Sequence, residues 1–161
     1  MIRPATTADA AAIAAIYNHY VLNTVITFEE QVVATSQMAE RIEQVQSDGL
    51  PWLVLEQDGD LLGYAYATKW RVRSAYRFSV ESTVYVKEGI TGRGIGSQLY
   101  QQLLAELKAL GLHLVIGGIT LPNKQGVALH EKFGFEKCGH FQQVGFKFEQ
   151  WRDVGYWQKL L

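Results

Sequence analysis

The chain has 161 residues, 48% of them apolar and 19% charged, the make-up of an ordinary globular protein long enough to bury its own core. A net charge of −1 gives no overall attraction to nucleic acid or to an acidic membrane, and the single cysteine, Cys138, excludes an internal disulfide framework. There is no bilayer-spanning apolar run, no signal-peptide pattern in Met1-Ile2-Arg3-Pro4 and no metal spacing among the four histidines; one metal-free cytoplasmic domain over 1–161 is expected.

Ile2 and Arg3 suit a short edge strand that ends at Pro4. Thr6 or Thr7 is positioned to cap a helix with Asp9 in its first turn, and Ala12, Ile13, Ile16, Tyr17 and Tyr20 recur at helical spacing. Leu22 to Glu30 is irregular. Ser36 is expected to cap a second helix through about Gln46, stopped by Asp48-Gly49 and Pro51. Trp52 to Glu56 and Leu61 to about Trp70 read as strands, because Asp58-Gly59 between apolar runs favours a hairpin.

A polar loop then leads to Ser79-Val80-Glu81-Ser82-Thr83-Val84-Tyr85-Val86, an alternating, β-branched stretch that reads as a third strand. Behind it, Thr91-Gly92-Arg93-Gly94-Ile95-Gly96-Ser97 opens a long amphipathic helix, expected from Ser97 to about Leu110. Strand, glycine loop and helix start make a site for an anion such as pyrophosphate. Glycine lets the backbone approach, and the unpaired N–H groups and dipole of the helix start favour negative charge. No lysine follows the glycines, so this is not a P-loop. A dinucleotide fingerprint counted from Gly92 reaches Ser97, and from Gly94 Leu99, where glycine is required. A purely structural turn is the alternative reading.

His113 to Ile119 is a buried strand, and Leu121-Pro122-Asn123 a loop. Asn123 or Lys124 starts a helix that ends near Phe133-Gly134-Phe135. The tail reads as two strands, around Gly145 and around Trp151-Arg152-Asp153. The order β, α, α, β, β, β, α, β, α, β, β implies a mixed sheet flanked by helices, an α/β or α+β architecture.

Three features carry chemistry. Glu81, inside a strand next to the glycine loop, is either a general base or a structural carboxylate paired with Arg73 or Arg77. His130, on the helix after Asn123, is either a proton donor or relay or a structural histidine. Lys69, Arg71, Arg73 and Arg77, with no acid until Glu81, form a local anion site or a solvated loop. Tyr100 is a reserve for proton transfer and otherwise packs. Cys138 and the aromatic tail read as sheet packing.

The segment Thr91 to Gly96 resembles the acetyl-CoA loop of the GCN5-related N-acetyltransferases, Arg/Gln-x-x-Gly-x-Gly/Ala, with Thr91 where Arg or Gln is usual. Arg73-Ser74-Ala75-Tyr76, Val80 to Val86, Leu121-Pro122-Asn123, Leu129-His130-Glu131, Val144-Gly145-Phe146-Lys147 and Trp151 to Gln158 are together similar to the phosphinothricin and methionine sulfoximine N-acetyltransferases. The resemblance implies a GNAT fold, with a mostly antiparallel sheet splayed between its two central strands. Acetyl-CoA would lie in the splay, its pantetheine arm on Val84, Tyr85 and Val86 and on Asn123. Its pyrophosphate would sit on Gly92, Arg93, Gly94, Ile95, Gly96 and Ser97. Glu81 takes the base role, and His130 falls where many relatives have a tyrosine that protonates the leaving thiolate. Arg73 and Tyr76 would hold the carboxylate and polar head of the substrate, Phe28 would wall the pocket, and the protein would form a homodimer. The function implied is direct acetyl transfer, in a ternary complex, to the α-amine of a small anionic amino acid analogue. An acetyltransferase for another small amine or a protein N-terminus, and a catalytically silent acyl-CoA-binding module, are the rivals. No nucleic-acid or membrane partner is expected.

Overall fold

The computed structural model describes residues 1–161 and builds one seven-stranded sheet in the order β1-β2-β3-β4-β5-β7-β6. The strands are β1 (Ile2–Pro4), β2 (Trp52–Gln57), β3 (Asp60–Lys69), β4 (Ser79–Val86), β5 (Leu114–Leu121), β6 (Glu136–Lys147) and β7 (Gln150–Leu160). The helices are α1 (Ala10–Asn23), α2 (Thr35–Ser47), α3 (Ile95–Ala109) and α4 (Lys124–Lys132). Only β4 and β5 run parallel; every other neighbouring pair is antiparallel. The expected element order and mixed sheet are therefore present.

Strand periodicity sorts the residues between two helical layers. Gly63 of β3 faces α3, so closely that a Cβ there would lie 3.1 Å from Leu99 and 3.3 Å from Ile95. Its neighbour Tyr64 faces the other way, with its ring 5.6 Å from that of Tyr85, which in turn meets Tyr17 of α1 at 5.3 Å. Leu99, Leu103 and Leu107 of α3, and Ile13 of α1 with Ile42 of α2, are wholly buried on these faces. Each such side chain contributes about 1.5–3 kcal/mol on leaving water.

The boundaries differ from expectation where side chains outside the apolar pattern decide them. Ser36 does not cap α2. Ala34 is the N-cap, and its N–H is satisfied by the Gln37 side chain at 2.9 Å. The third helix starts at Ile95, not Ser97, because Gly94 adopts a left-handed conformation (φ 77°) and turns the chain directly into the helix. The tail is one long hairpin. Its tight turn, Phe148-Glu149, has φ of 53° and 60° without glycine or asparagine to announce it.

The feature that positions the site is an interruption. β4 and β5 both continue to Val86 and Leu121, yet their register covers only Ser79↔Leu114, Val80↔Val115 and Glu81↔Ile116. Beyond Glu81 the strands splay apart. Lys87 N–H donates to Leu62 O, and Phe78 O accepts from His113 and Leu114, so odd-numbered residues of β4 turn their peptide groups toward β3. The even-numbered ones, Val84 and Val86 included, turn theirs into the splay.

Candidate active site

A cleft of about 390 Å³ occupies the splay, walled by Glu81 to Val86 of β4 on one side and Gly118 to Thr120 of β5 on the other. Asn123, Gly126, Leu129 and His130 close it from α4, and Thr27 and Phe28 from the segment between α1 and α2. Glu81, His130, Val84, Tyr85, Val86, Asn123, Gly96 and Phe28 thus border one cleft.

Glu81 projects to the α1/α2 face of the sheet. It joins none of the ion pairs of the chain, so the expected alternative of a carboxylate paired with Arg73 or Arg77 is not what the fold contains. Burial pushes its carboxyl above the ordinary carboxylate range, partly offset by the charge of Arg71. The Tyr156 hydroxyl is also pushed up, by burial and then by the Glu81 charge, while Arg71 opposes the shift. These three groups therefore share one electrostatic neighbourhood. A Cβ on Gly118 would lie 3.1 Å from the Tyr156 ring and 3.6 Å from Glu81 Oε1, so glycine here keeps the space between the two open.

His130 lies on the opposite face of the sheet. Its neighbour across the strand is Gly117, where a Cβ would sit 2.5 Å from His130 Nε2. The imidazole is buried and its pKa is lowered by desolvation, so it is neutral near pH 7. Gly126 O, 2.7 Å from Nδ1, can only accept, so Nδ1 carries the hydrogen. Nε2 then accepts from the Tyr100 hydroxyl at 2.9 Å, and Tyr100 accepts from Ser82, whose side chain lines the cleft. The hydrogen-bonded chain Ser82–Tyr100–His130 borders the cleft at both ends and passes through the core at Tyr100. Tyr100, read as a reserve for proton transfer or as packing, is its middle member.

The start of α3 is built for an anion. Gly94 caps it without a side chain, and Gln98 N–H is the first amide bonded within the helix, to Gly94 O at 3.0 Å. The amides of Ile95, Gly96 and Ser97 have no helical partner. Gly96 borders the cleft; Gly92, Arg93 and Gly94 are exposed beside it, and the Ile95 side chain points into the core. Lys132 of α4 donates to Ser97 Oγ at 3.0 Å and adds positive charge at this end. Asn123 borders the cleft, but its Oδ1 accepts from Gly126 N–H at 2.9 Å to cap α4, leaving only its amide hydrogens free for a ligand.

The basic cluster needs correction. Arg73 and Tyr76 lie at an exposed one-turn 3₁₀ helix, Ser74–Tyr76, and do not line the cleft. Arg77 is spent on Ser74 O at 3.1 Å and on the Phe78 ring. Arg71 is the arginine whose charge reaches Glu81 and Tyr156; it stacks over Trp70, itself 5.9 Å from the Tyr156 ring. Like Arg73, Arg71 is exposed and outside the cleft lining; the run of charges marked the loop, but the spacing gave no sign of which arginine's charge reaches Glu81. Tyr20, Thr83, Val154 and Tyr156 also line the cleft. Thr83 lies at two-residue spacing from Glu81 on β4, so period two identifies it, and the same period groups Val154 with Tyr156 on β7. Tyr20 is visible only in the fold, where its hydroxyl donates to Val86 O.

No cluster of three or more His, Cys, Asp or Glu side chains is arranged to hold a metal ion, and no helix is long and apolar enough to cross a membrane. An acetyltransferase (GNAT) domain model matches residues 2–155. A phosphinothricin N-acetyltransferase of Streptomyces viridochromogenes is 42% identical over 158 residues, 98% of this chain and 86% of that protein. The solved structure of a phosphinothricin acetyltransferase from Sinorhizobium meliloti, in complex with acetyl-CoA, superposes with a TM-score of 0.96 at 38% identity, covering 100% of this chain and 88% of that one. A ribosomal-protein-alanine N-acetyltransferase from Brucella melitensis superposes with a TM-score of 0.98 at 40% identity, covering 100% and 99%.

Proposed function

This chain belongs to the GNAT acetyltransferase family and is an acetyl-CoA-dependent N-acetyltransferase; on that premise we propose that its acceptor is the α-amine of a small amino acid analogue such as phosphinothricin, methionine sulfoximine or methionine sulfone. The observation that carries this reading is the pairing of Glu81 and Tyr156 in the lining of the splay, a carboxyl raised by burial, with the charge of the exposed Arg71 reaching both.

The pantetheine arm runs along the peptide edge of Val84 and Val86 that β5 leaves unpaired, where Val86 O already accepts from the Tyr20 hydroxyl, as a strand adds to a sheet. The pyrophosphate lies on the loop Gly92, Arg93 and Gly94 and the amides of Ile95, Gly96 and Ser97, with the Asn123 amide reaching the arm. Arg71 pairs with the substrate carboxylate, Arg73 and Tyr76 supplement it from the rim, and Phe28 walls the side chain. Glu81 takes a proton from the ammonium, directly or through a water. The amine lone pair then attacks the thioester carbonyl; the C–N bond forms, the C–S bond breaks, and the electron pair leaves on sulfur. The thiolate takes up a proton on the His130 side, relayed from solvent through the Ser82–Tyr100–His130 chain once its two hydroxyl hydrogens turn from His130 toward the cleft, and Glu81 returns its proton to solvent. No covalent enzyme intermediate is formed. A single catalytic domain spans 1–161 and works in the cytoplasm as a homodimer, joined through the exposed aromatic residues Phe141, Phe146, Phe148 and Trp151 of the terminal hairpin.

A protein N-terminus is the second reading, favoured by the likeness to the Brucella melitensis protein. Free-thiol release from acetyl-CoA, measured with phosphinothricin, methionine sulfoximine, methionine sulfone, common amino acids, polyamines and an alanine-starting peptide, separates the two. Fast release with the amino acid analogues is expected. Release with the peptide alone would overturn the substrate assignment.

A further inference from the structure

Lys147 is buried to 1% exposure, an unusual fate for a lysine, and it takes part in no ion pair. Its Nζ donates to Thr27 O at 2.8 Å, across 120 residues of sequence. Thr27 immediately precedes Phe28. Two residues before Lys147, and so on the same face of β6, is Gly145, where a Cβ would lie 2.2 Å from the Phe28 ring. The ring occupies the place a side chain would take. From the other side, the Tyr17 and Thr27 hydroxyls are 2.7 Å apart, and Arg41 grips Glu29 at 2.6 Å. The irregular segment is thus a clamped wall of the cleft, and the hydrogen bond of the desolvated Lys147 ammonium, which also lies 5.2 Å from the Phe148 ring, falls on the peptide next to Phe28. Removing an ammonium from water is costly, so this lysine holds its position against solvation. The attraction of Glu29 and Glu30 offsets part of that cost.

We propose that Lys147 and Gly145 are positioning residues of β6 that fix the Phe28 ring in the cleft and thereby set which substrate side chains are accepted. The inference rests on the reading of Phe28 as a wall of the amine pocket. Lys147 hydrogen-bonds the backbone before the ring, and Gly145 supplies the seat for the ring. Neither touches the reacting atoms, and neither belongs to the cofactor edge of β4.

The test uses Lys147→Met, which keeps the apolar stem and removes the donor, and Gly145→Ala, which blocks the seat. Each is made alone and in a Phe28→Ala background. On the best amine of the panel above, each single variant should raise KM roughly tenfold, as the loss of one charge-assisted hydrogen bond or ring seat does, with the acetyl-CoA Kd unchanged. In the Phe28→Ala background neither should raise KM further. Multiplying effects in the double variants, or a parallel loss of acetyl-CoA affinity, would overturn the proposal. A fluorine label on a phenylalanine analogue at position 28 gives a readout independent of turnover. Its ¹⁹F resonance should move in both single variants, and an unmoved resonance would equally overturn it. If the labelled ring behaves as expected but no amino acid analogue is acetylated, the substrate reading fails and the positioning role stands. Because two different variants report, misfolding of one leaves the other decisive.

Discussion

Replacing Glu81 by glutamine tests the centre of the mechanism. The side chain keeps its shape and loses its charge. Proton abstraction by a positioned base is worth about 10²–10⁴ in rate. Glu81 is only half-buried and has no hydrogen-bonded side-chain partner to orient it, so the lower end applies. A fall of about 100-fold in kcat, about 2.7 kcal/mol of barrier, is expected. Acetyl-CoA affinity should not change, because the cofactor edge is formed by the even-numbered peptides of β4 while Glu81 projects from an odd position. The native enzyme should lose activity as pH falls through the raised carboxyl value, and the variant should lack that limb. Stability should move the other way. A carboxyl raised in the fold favours the protonated form, so its contribution is fullest below the unfolded value of about 4.3 and is lost as pH rises through the folded one. Once ionised, the carboxylate is therefore a burden, and Glu81→Gln should melt higher than the native chain by a margin that grows as pH rises above about 4.3 and levels off above the raised folded value. Thiol-release kinetics and thermal melts across pH supply both readouts. An unchanged kcat, or a fall matched by lost acetyl-CoA binding, would remove Glu81 from the base role.

Two further expectations follow from the geometry. Arg71→Ala should raise the KM of the amino acid substrate about tenfold, and more than Arg73→Ala does; the reverse order in steady-state kinetics would return the role to Arg73. Gly117→Ala forces a methyl to 2.5 Å from His130 Nε2 and should cost about 1–3 kcal/mol in denaturant unfolding while slowing thiol release; an unchanged midpoint would mean that the ring does not need that space.

The sequence carries local rules well and directions poorly. Asp58-Gly59 announced its hairpin, because type I′ turns need positive φ at both central residues and these tolerate it. Phe148-Glu149 makes an equally tight turn with residues that do not advertise it; the pairing of twelve-residue and eleven-residue strands overrides their preference. Glu81 and His130 were legible through the resemblance of Val80 to Val86 and Leu129-His130-Glu131 to the N-acetyltransferases, since alternation and helical spacing alone left both open to structural readings. Arg71 was not separable from Arg73, since both lie in an irregular loop where no period assigns a face. Tyr100 looked like core because it is core: its ring is wholly buried, and only its hydroxyl reaches Ser82 and His130. Lys147 carried a polar label while occupying an apolar position, and nothing in its own neighbourhood predicts a partner as remote as Thr27.

The interruption between β4 and β5 changes what kind of object the free protein is. Its sheet is two panels, four strands and three, joined along a seam that only three register pairs hold shut at one end. A pantetheine arm laid along Val84 and Val86 is then a stitch. It offers amide groups where β5 has turned away, and it lends the left panel an edge partner that the polypeptide itself withholds. In that placement the donor of the acetyl group would be, while bound, a length of secondary structure, and each turnover would knit the seam and unpick it again as the spent thiol departs.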